Sequence, residues 1–241
     1  MRNVLAGTLL VVAFAAAGCG SGGSQSANTT SGSGNSEASK SATQVLTDAV
    51  TAADSASSMR MNGNVNASGK QIGLDLSVAK GNGAKGSLTL GGNPVQLIVV
   101  GPNGYMKAGS TFWSQFAGSS GSVISQLLAG RWLKFPVNNA QFGPLVAFSS
   151  PKALFDQLKA GADSSLKNNG ATTYKGQSVV ALDDGSKNGT LYVSATGTPY
   201  PVALVKTGSG GGTITFSGWN DPVSLAAPPA SKVLDFSNLH G

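Results

Sequence analysis

From Met59 to Lys107 the chain is written in a period of two. Met61, Gly63, Val65 and Ala67 alternate with Arg60, Asn62, Asn64 and Asn66, and Ile72, Leu74, Leu76 and Val78 alternate with Gly73, Asp75 and Ser77. At that spacing every second side chain points to the same face of a strand. The runs are cut at Ser68-Gly69-Lys70, Gly81-Asn82-Gly83, Gly91-Gly92-Asn93-Pro94 and Pro102-Asn103-Gly104, which are residues of tight turns. A stretch of this kind folds into an antiparallel meander with one apolar face, and that face has to be covered. A second run repeats the rhythm at Gln177–Leu182, Gly189–Val193, Val202–Lys206 and Thr213–Ser217, with turns at Asp183-Asp184-Gly185, Gly197-Thr198-Pro199 and Gly208–Gly212.

The cover is helical. Ser41 followed by Gln44 is a capping pair that starts a helix over Ala42–Ser55, whose apolar stripe is Val45, Leu46, Ala49, Val50 and Ala53. Phe112, Trp113 and Phe116 cluster at helical spacing. Ser122 opens a short helix carrying Val123, Ile124, Leu127 and Leu128, which Gly130 stops. Arg131–Pro136 reads as a strand. Ser150-Pro151 begins a further helix with Leu154, Phe155 and Leu158 on one side and Gly161 at its end. Pro222, Pro228 and Pro229 mark an irregular tail. The expected fold is α+β: one strongly curved antiparallel β-sheet, a half-barrel, with helices packed on its concave face.

The beginning of the chain is of another kind. Arg2, the apolar Val4–Ala17 and the small residues Ala16-Ala17-Gly18 before Cys19 have the form of an export signal over residues 1–18. Gly18 and Cys19 flank the expected cut. Cys19 is the one cysteine among 241 residues, so no intrachain disulfide exists, and its position suits thioether attachment to diacylglycerol. Residues 19–40, mostly Gly, Ser, Asn, Thr and Ala, bury too little apolar surface to fold and are expected to form a flexible tether. Residues 41–241 form one domain. The expected location is the outer face of a cell membrane, with the bilayer as partner through the lipid on Cys19.

Composition narrows the function by exclusion. Only 11% of residues are charged, and the formal charge of +6, which becomes +5 without Arg2, is spread as single Lys and Arg residues. No basic run tracks phosphates, so no nucleic-acid partner is expected. His240, the only histidine, is the second-last residue. Glu37, the only glutamate, lies in the tether, and no Asp is paired with another across a plausible site. Asp183-Asp184-Gly185-Ser186 lacks the later ligands of a calcium loop, and Gly208–Gly212 lacks the Lys-Ser/Thr of a phosphate loop. No catalytic residues, metal site or cofactor are expected. The chain reads as a non-enzyme and as a monomer.

The lipidated Cys19, the polar tether, the Ala-rich first helix and the alternating strands come in a recognisable order. So do Gly104-Tyr105-Met106-Lys107, Phe112-Trp113 and Gly130-Arg131-Trp132-Leu133-Lys134-Phe135-Pro136. Over roughly Ser41–Trp219 this resembles the actinobacterial LppX/LprAFG lipoproteins and, more distantly, the LolA/LolB-like fold. The chain departs from that pattern in its glycine- and asparagine-rich strands and in Ala16, where such signals usually carry Leu. The resemblance implies an apolar cavity between sheet and helices that binds, and possibly transfers, acyl chains of lipid or glycolipid. Leu74, Leu76, Leu97, Val99, Trp113, Phe116, Ile124, Leu127, Leu128 and Trp132 are its candidate lining. Read from the residues alone, the apolar and aromatic side chains of the middle segment are most simply packed core. That leaves a second reading open, a structural or interaction module of the envelope without a ligand.

Overall fold

A computed structural model describes residues 34–239 except 68, 117, 186–188 and 209. Gly18, Cys19, the export signal, most of the tether and His240 lie outside the described residues. The chain has the expected α+β architecture. Helix α1 (Ala42–Ser55) leads into strands β1 (Ser58–Ala67), β2 (Lys70–Ala79), β3 (Gly83–Leu90), β4 (Asn93–Val100) and β5 (Asn103–Ala108). Helices α2 (Ser110–Phe116) and α3 (Gly121–Leu127), strand β6 (Trp132–Pro136), and helices α4 (Gly143–Ala147) and α5 (Pro151–Ala160) follow. The second meander is β7 (Lys167–Tyr174), β8 (Gln177–Asp183), β9 (Gly189–Ser194), β10 (Pro201–Lys206) and β11 (Gly212–Ser217), and β12 (Val233–Asp235) lies in the tail.

All twelve strands belong to one open, curved sheet in the order β12-β6-β5-β4-β3-β2-β1-β11-β10-β9-β8-β7. The two meanders are joined by antiparallel pairing of β1 with β11, where Met61 faces Phe216 and Gly63 faces Ile214. Register carries an apolar row straight across the inner face: Phe216, Met61, Leu76, Gly86, Leu97, Met106 and Leu133 are successive partners. Each of the six side chains in that row is buried. One step along the strands the row is Met59, Val78, Ala84, Val99, Gly104 and Phe135. This second row holds smaller residues, and the Phe135 ring lies where a Cβ on Gly104 would be.

The concave face is covered as the stripe pattern requires. Val45, Leu46, Ala49, Val50 and Ala52 of α1 are buried, and α1 packs against α5 and against β7, β8 and β10. Ser41 caps α1, its Oγ accepting from the Gln44 amide at 3.3 Å. At the other side α2, α4 and β6 contribute an aromatic plug. Phe142 stacks on Phe135 at 4.2 Å and on Phe116 at 6.0 Å, and meets Phe236 edge-on at 5.1 Å.

The packed unit begins before Ser41, which corrects the expected extent of the tether to Lys40. The Asn35 amide donates to the Ala195 carbonyl at 2.7 Å, and Ser36–Ser39 form a 3-10 turn. Glu37 is buried, and Lys40 Nζ reaches both its Oε1 and Asp48 Oδ2 at 2.6 Å. Hydrogen bonds to Asp48 first, then Glu37, hold the Lys40 ammonium above its ordinary value. Asn168 completes the joint by donating to the Lys40 carbonyl at 2.8 Å. The polar composition that reads as disorder supplies here the donors and acceptors of a docked segment. Gly34 bridges Thr196 in the β9–β10 turn. The chain therefore joins the domain at the rim of the sheet that also holds the β2–β3 and β4–β5 turns.

Two further differences concern polar or short elements. β7 carries Asn168, Asn169, Thr172 and Thr173 and shows no apolar alternation, yet it pairs with β8 along the sheet's edge. The tail is irregular only in part, because β12 runs parallel to β6 and Lys134 holds Asp235 at 3.1 Å.

Curvature leaves no room for a Cβ at Gly63, where it would run into the Thr213 carbonyl oxygen of the neighbouring strand. Gly63→Ala is expected to destabilise the domain by roughly 2–4 kcal/mol in chemical denaturation. On the outer face Arg60 makes a bidentate pair with Asp75, with Nε–Oδ1 at 2.7 Å and Nη2–Oδ2 at 2.6 Å, and this hydrogen bonding holds the Asp75 carboxyl below its ordinary value. A carboxyl lowered in the folded state adds stability above its unfolded value, and the gain disappears as pH falls through the lowered value. The pair is substantially exposed, so Asp75→Asn should cost less than about 1 kcal/mol at neutral pH. That difference from wild type should vanish in acid, as read by urea melts across the pH range.

Candidate functional site

Where the row of smaller residues meets the rim, sheet and helices do not close on one another. The result is a cleft of about 660 Å³ that opens at the rim. Met59, Val78 and Val99 form its floor, and Ala53 of α1, Val146 of α4 and Phe155 of α5 form its roof. The space follows from the sequence locally. Alanines of α1 face the sheet here, so the helix stands over the floor without filling it. Ser149, Ser150 and Pro151 make the start of α5, whose fixed proline geometry sets the direction in which the helix leaves the mouth.

The charges sit at the mouth. Lys152 Nζ lies 2.8 Å from Asp156 and 3.7 Å from Asp54, and Lys80 Nζ donates to the Asp54 backbone carbonyl. The Lys152 ammonium is held above its ordinary value, first by its hydrogen bond to Asp156. Ser58, at the start of β1, also lines the cleft, and its hydroxyl donates to the Asp221 carbonyl and is thereby satisfied. Among the described residues no group of His, Cys, Asp or Glu is arranged to hold a metal ion. What the arrangement offers chemically is apolar surface with a polar lip. It has room for on the order of 20 groups the size of a water molecule, at about 30 Å³ each, within the usual size of small-molecule sites.

Of the expected lining residues, Val99 alone borders this cleft. Leu74, Leu76, Leu97, Trp113 and Leu128 are buried in the continuous core. Leu76 and Leu97 belong to the filled row, one step inward from the floor. Trp113 is locked in the aromatic plug, with Nε1 donating to the Ala108 carbonyl at 3.1 Å. Ile124 and Trp132 are half-buried, and Phe116 and Leu127 are exposed to 38% and 45%. The large aromatics of the middle segment fill space rather than enclose it. The residues that do enclose it, Ala53, Ala56, Val78, Val146 and Phe155, are mostly small, and the legible trace they leave is an apolar stripe on α1 rich in alanine.

The geometry defines a class: an open, strongly curved antiparallel sheet wrapped around a helical cover, with an apolar cleft between them. Comparison with protein-family models and with curated proteins returns no match. Among solved structures, LprF from Mycobacterium bovis shares this fold, with a TM-score of 0.52 and 17% identity over 83% of this chain and 100% of that one. The lipoprotein LppX from Mycobacterium tuberculosis aligns at a TM-score of 0.48 and 17% identity, over 77% of this chain and 98% of the other. The expected resemblance is thus met at the level of the fold.

The exposed position of Leu127 has a measurable consequence. Leu127→Arg should shift unfolding free energy by no more than about 0.5 kcal/mol, as surface changes do. Leu76→Ala, in the filled row, should cost about 2–5 kcal/mol.

Proposed function

We propose that this protein is an extracytoplasmic lipoprotein, anchored to the cell membrane through diacylglycerol on Cys19, that binds acyl chains of lipid or glycolipid in the cleft between α1, α5 and the sheet. The observation that carries the reading is the cleft itself. It is apolar within, charged at its lip, and large enough for a long acyl chain. Each methylene withdrawn from water contributes about 0.8 kcal/mol before ordering costs, so affinity needs no directional contacts along the chain. The headgroup stays at the mouth, beside Lys80 and Lys152. The fold shared with LprF supports the same reading. Residues 19–33 lead from the lipid to Gly34, and Gly34 joins the rim on which the cleft opens.

Native mass spectrometry of the purified protein, incubated with a total lipid extract, tests this directly. Protein carrying acyl-lipid masses is the expected result. Unliganded protein alone, together with no binding of a fluorescent fatty acid, overturns the reading and favours a ligand-free envelope module. Ala53→Phe places a ring into the cleft from α1. It is expected to weaken fluorescent acyl-probe binding at least tenfold while leaving the circular dichroism spectrum unchanged.

A further inference from the structure

The space under α1 and α5 is not confined to the cleft. A second pocket of about 180 Å³, itself open at its outer end, lies under the same helix pair, over the inner face of β8, β9 and β10, with Leu46, Leu158, Leu182, Leu191 and Leu204 in its walls beside Gln157 and Asp184. The two helices run antiparallel. Lys152 at the start of α5 meets Asp54 at the end of α1, whereas Leu46 near the start of α1 and Leu158 near the end of α5 share the smaller cavity. The two cavities are successive spaces beneath one roof, and β11, the strand between β1 and β10, runs below the boundary between them.

Phe155 stands at that boundary. It borders the large cleft, while Gln157 and Leu158, the next residues of α5 to do so, border the small cavity. The Phe155 ring is 1% exposed and lies 5.3 Å from the ring of Phe216 on β11. Helix and sheet thus each supply one aromatic ring to a single partition. Neither ring carries a polar atom, so the inner end of the cleft suits a terminal methyl group and not a headgroup.

We propose that the Phe155–Phe216 pair is the wall against which a bound acyl chain ends, and that it sets the longest chain the cleft accepts. This rests on the lipid-binding reading above. While the chain is shorter than the cleft, each added methylene enters apolar surroundings and tightens binding. Once the methyl end meets Phe155, a further methylene stays in water at the mouth and adds nothing. Removing the wall joins the small cavity to the large one and adds about six methylene-sized groups of depth, at about 30 Å³ each.

The test uses the full chain and a series of saturated fatty acids of increasing length, competed against a fluorescent acyl probe. For wild type, affinity is expected to rise with length and then level off. Phe155→Leu, Phe155→Ala and Phe216→Leu should each move the levelling point to chains longer by several carbons. Leu127→Ser, on the exposed face of α3, should leave it in place. If Phe155→Ala fails to fold by circular dichroism, the two leucine variants decide the matter. An unmoved levelling point in folded variants overturns this proposal and leaves the lipid-binding reading intact. A wild type that binds no fatty acid overturns both.

Discussion

The structure depends on the registered contact of one apolar row, Phe216–Met61–Leu76–Gly86–Leu97–Met106–Leu133, across seven neighbouring strands. A slip of one residue in any of these strands would turn its core face to water. Burial of the row therefore fixes the register of the whole first meander and, through Met61 and Phe216, of the second. The helices follow, because they need only present a stripe to a surface already set. The cleft follows as well. With the Leu and Met row filled, the small middle of the neighbouring row, Val78, Ala84 and Val99, cannot bring sheet and helices together at the rim. Large side chains inward and small ones outward along the same strands are enough to leave a closed core that opens into a cleft.

Much of this was legible in the residues. The alternation in β2, the glycine turns and the Ser41 cap each act locally, and each appears where the sequence puts it. What escaped was whatever depended on partners far along the chain. β7 is polar because it lies at the edge with exposed side chains, so it shows no alternation to read. Ser36–Ser39 look disordered by composition, and become ordered because Ala195 and Asn168 supply hydrogen bonds from far along the chain. The cleft was misplaced for a related reason. Aromatic residues draw attention as lining, yet Trp113 and Phe116 pack against other rings and fill the space they occupy. Absence of bulk at Ala53, Ala56 and Ala79 leaves room for the cleft, and an alanine alone carries no sign that it faces emptiness.

A site of this kind also explains why motif reading returns silence. Apolar recognition is additive over area and indifferent to the order of the contacts. Two chains of similar shape can bind similar ligands through unrelated residues. The chain shares a fold with LprF at 17% identity, so the topology persists while most individual side chains differ.

An open sheet has two ends, and β12 bears on one of them. A bare edge strand offers unpaired amides and carbonyls to any other chain, which is the usual route to unwanted strand addition. Here the far edge is the polar β7 with its register shift between Asn168 and Ala171. The near edge is capped by three residues of tail, laid parallel on β6 and pinned by Lys134 and Asp235. The tail thus occupies the backbone groups that β6 would otherwise present at the edge. A protease that clipped the chain after Pro229 would leave the core rows intact and yet convert β6 into a template for aggregation.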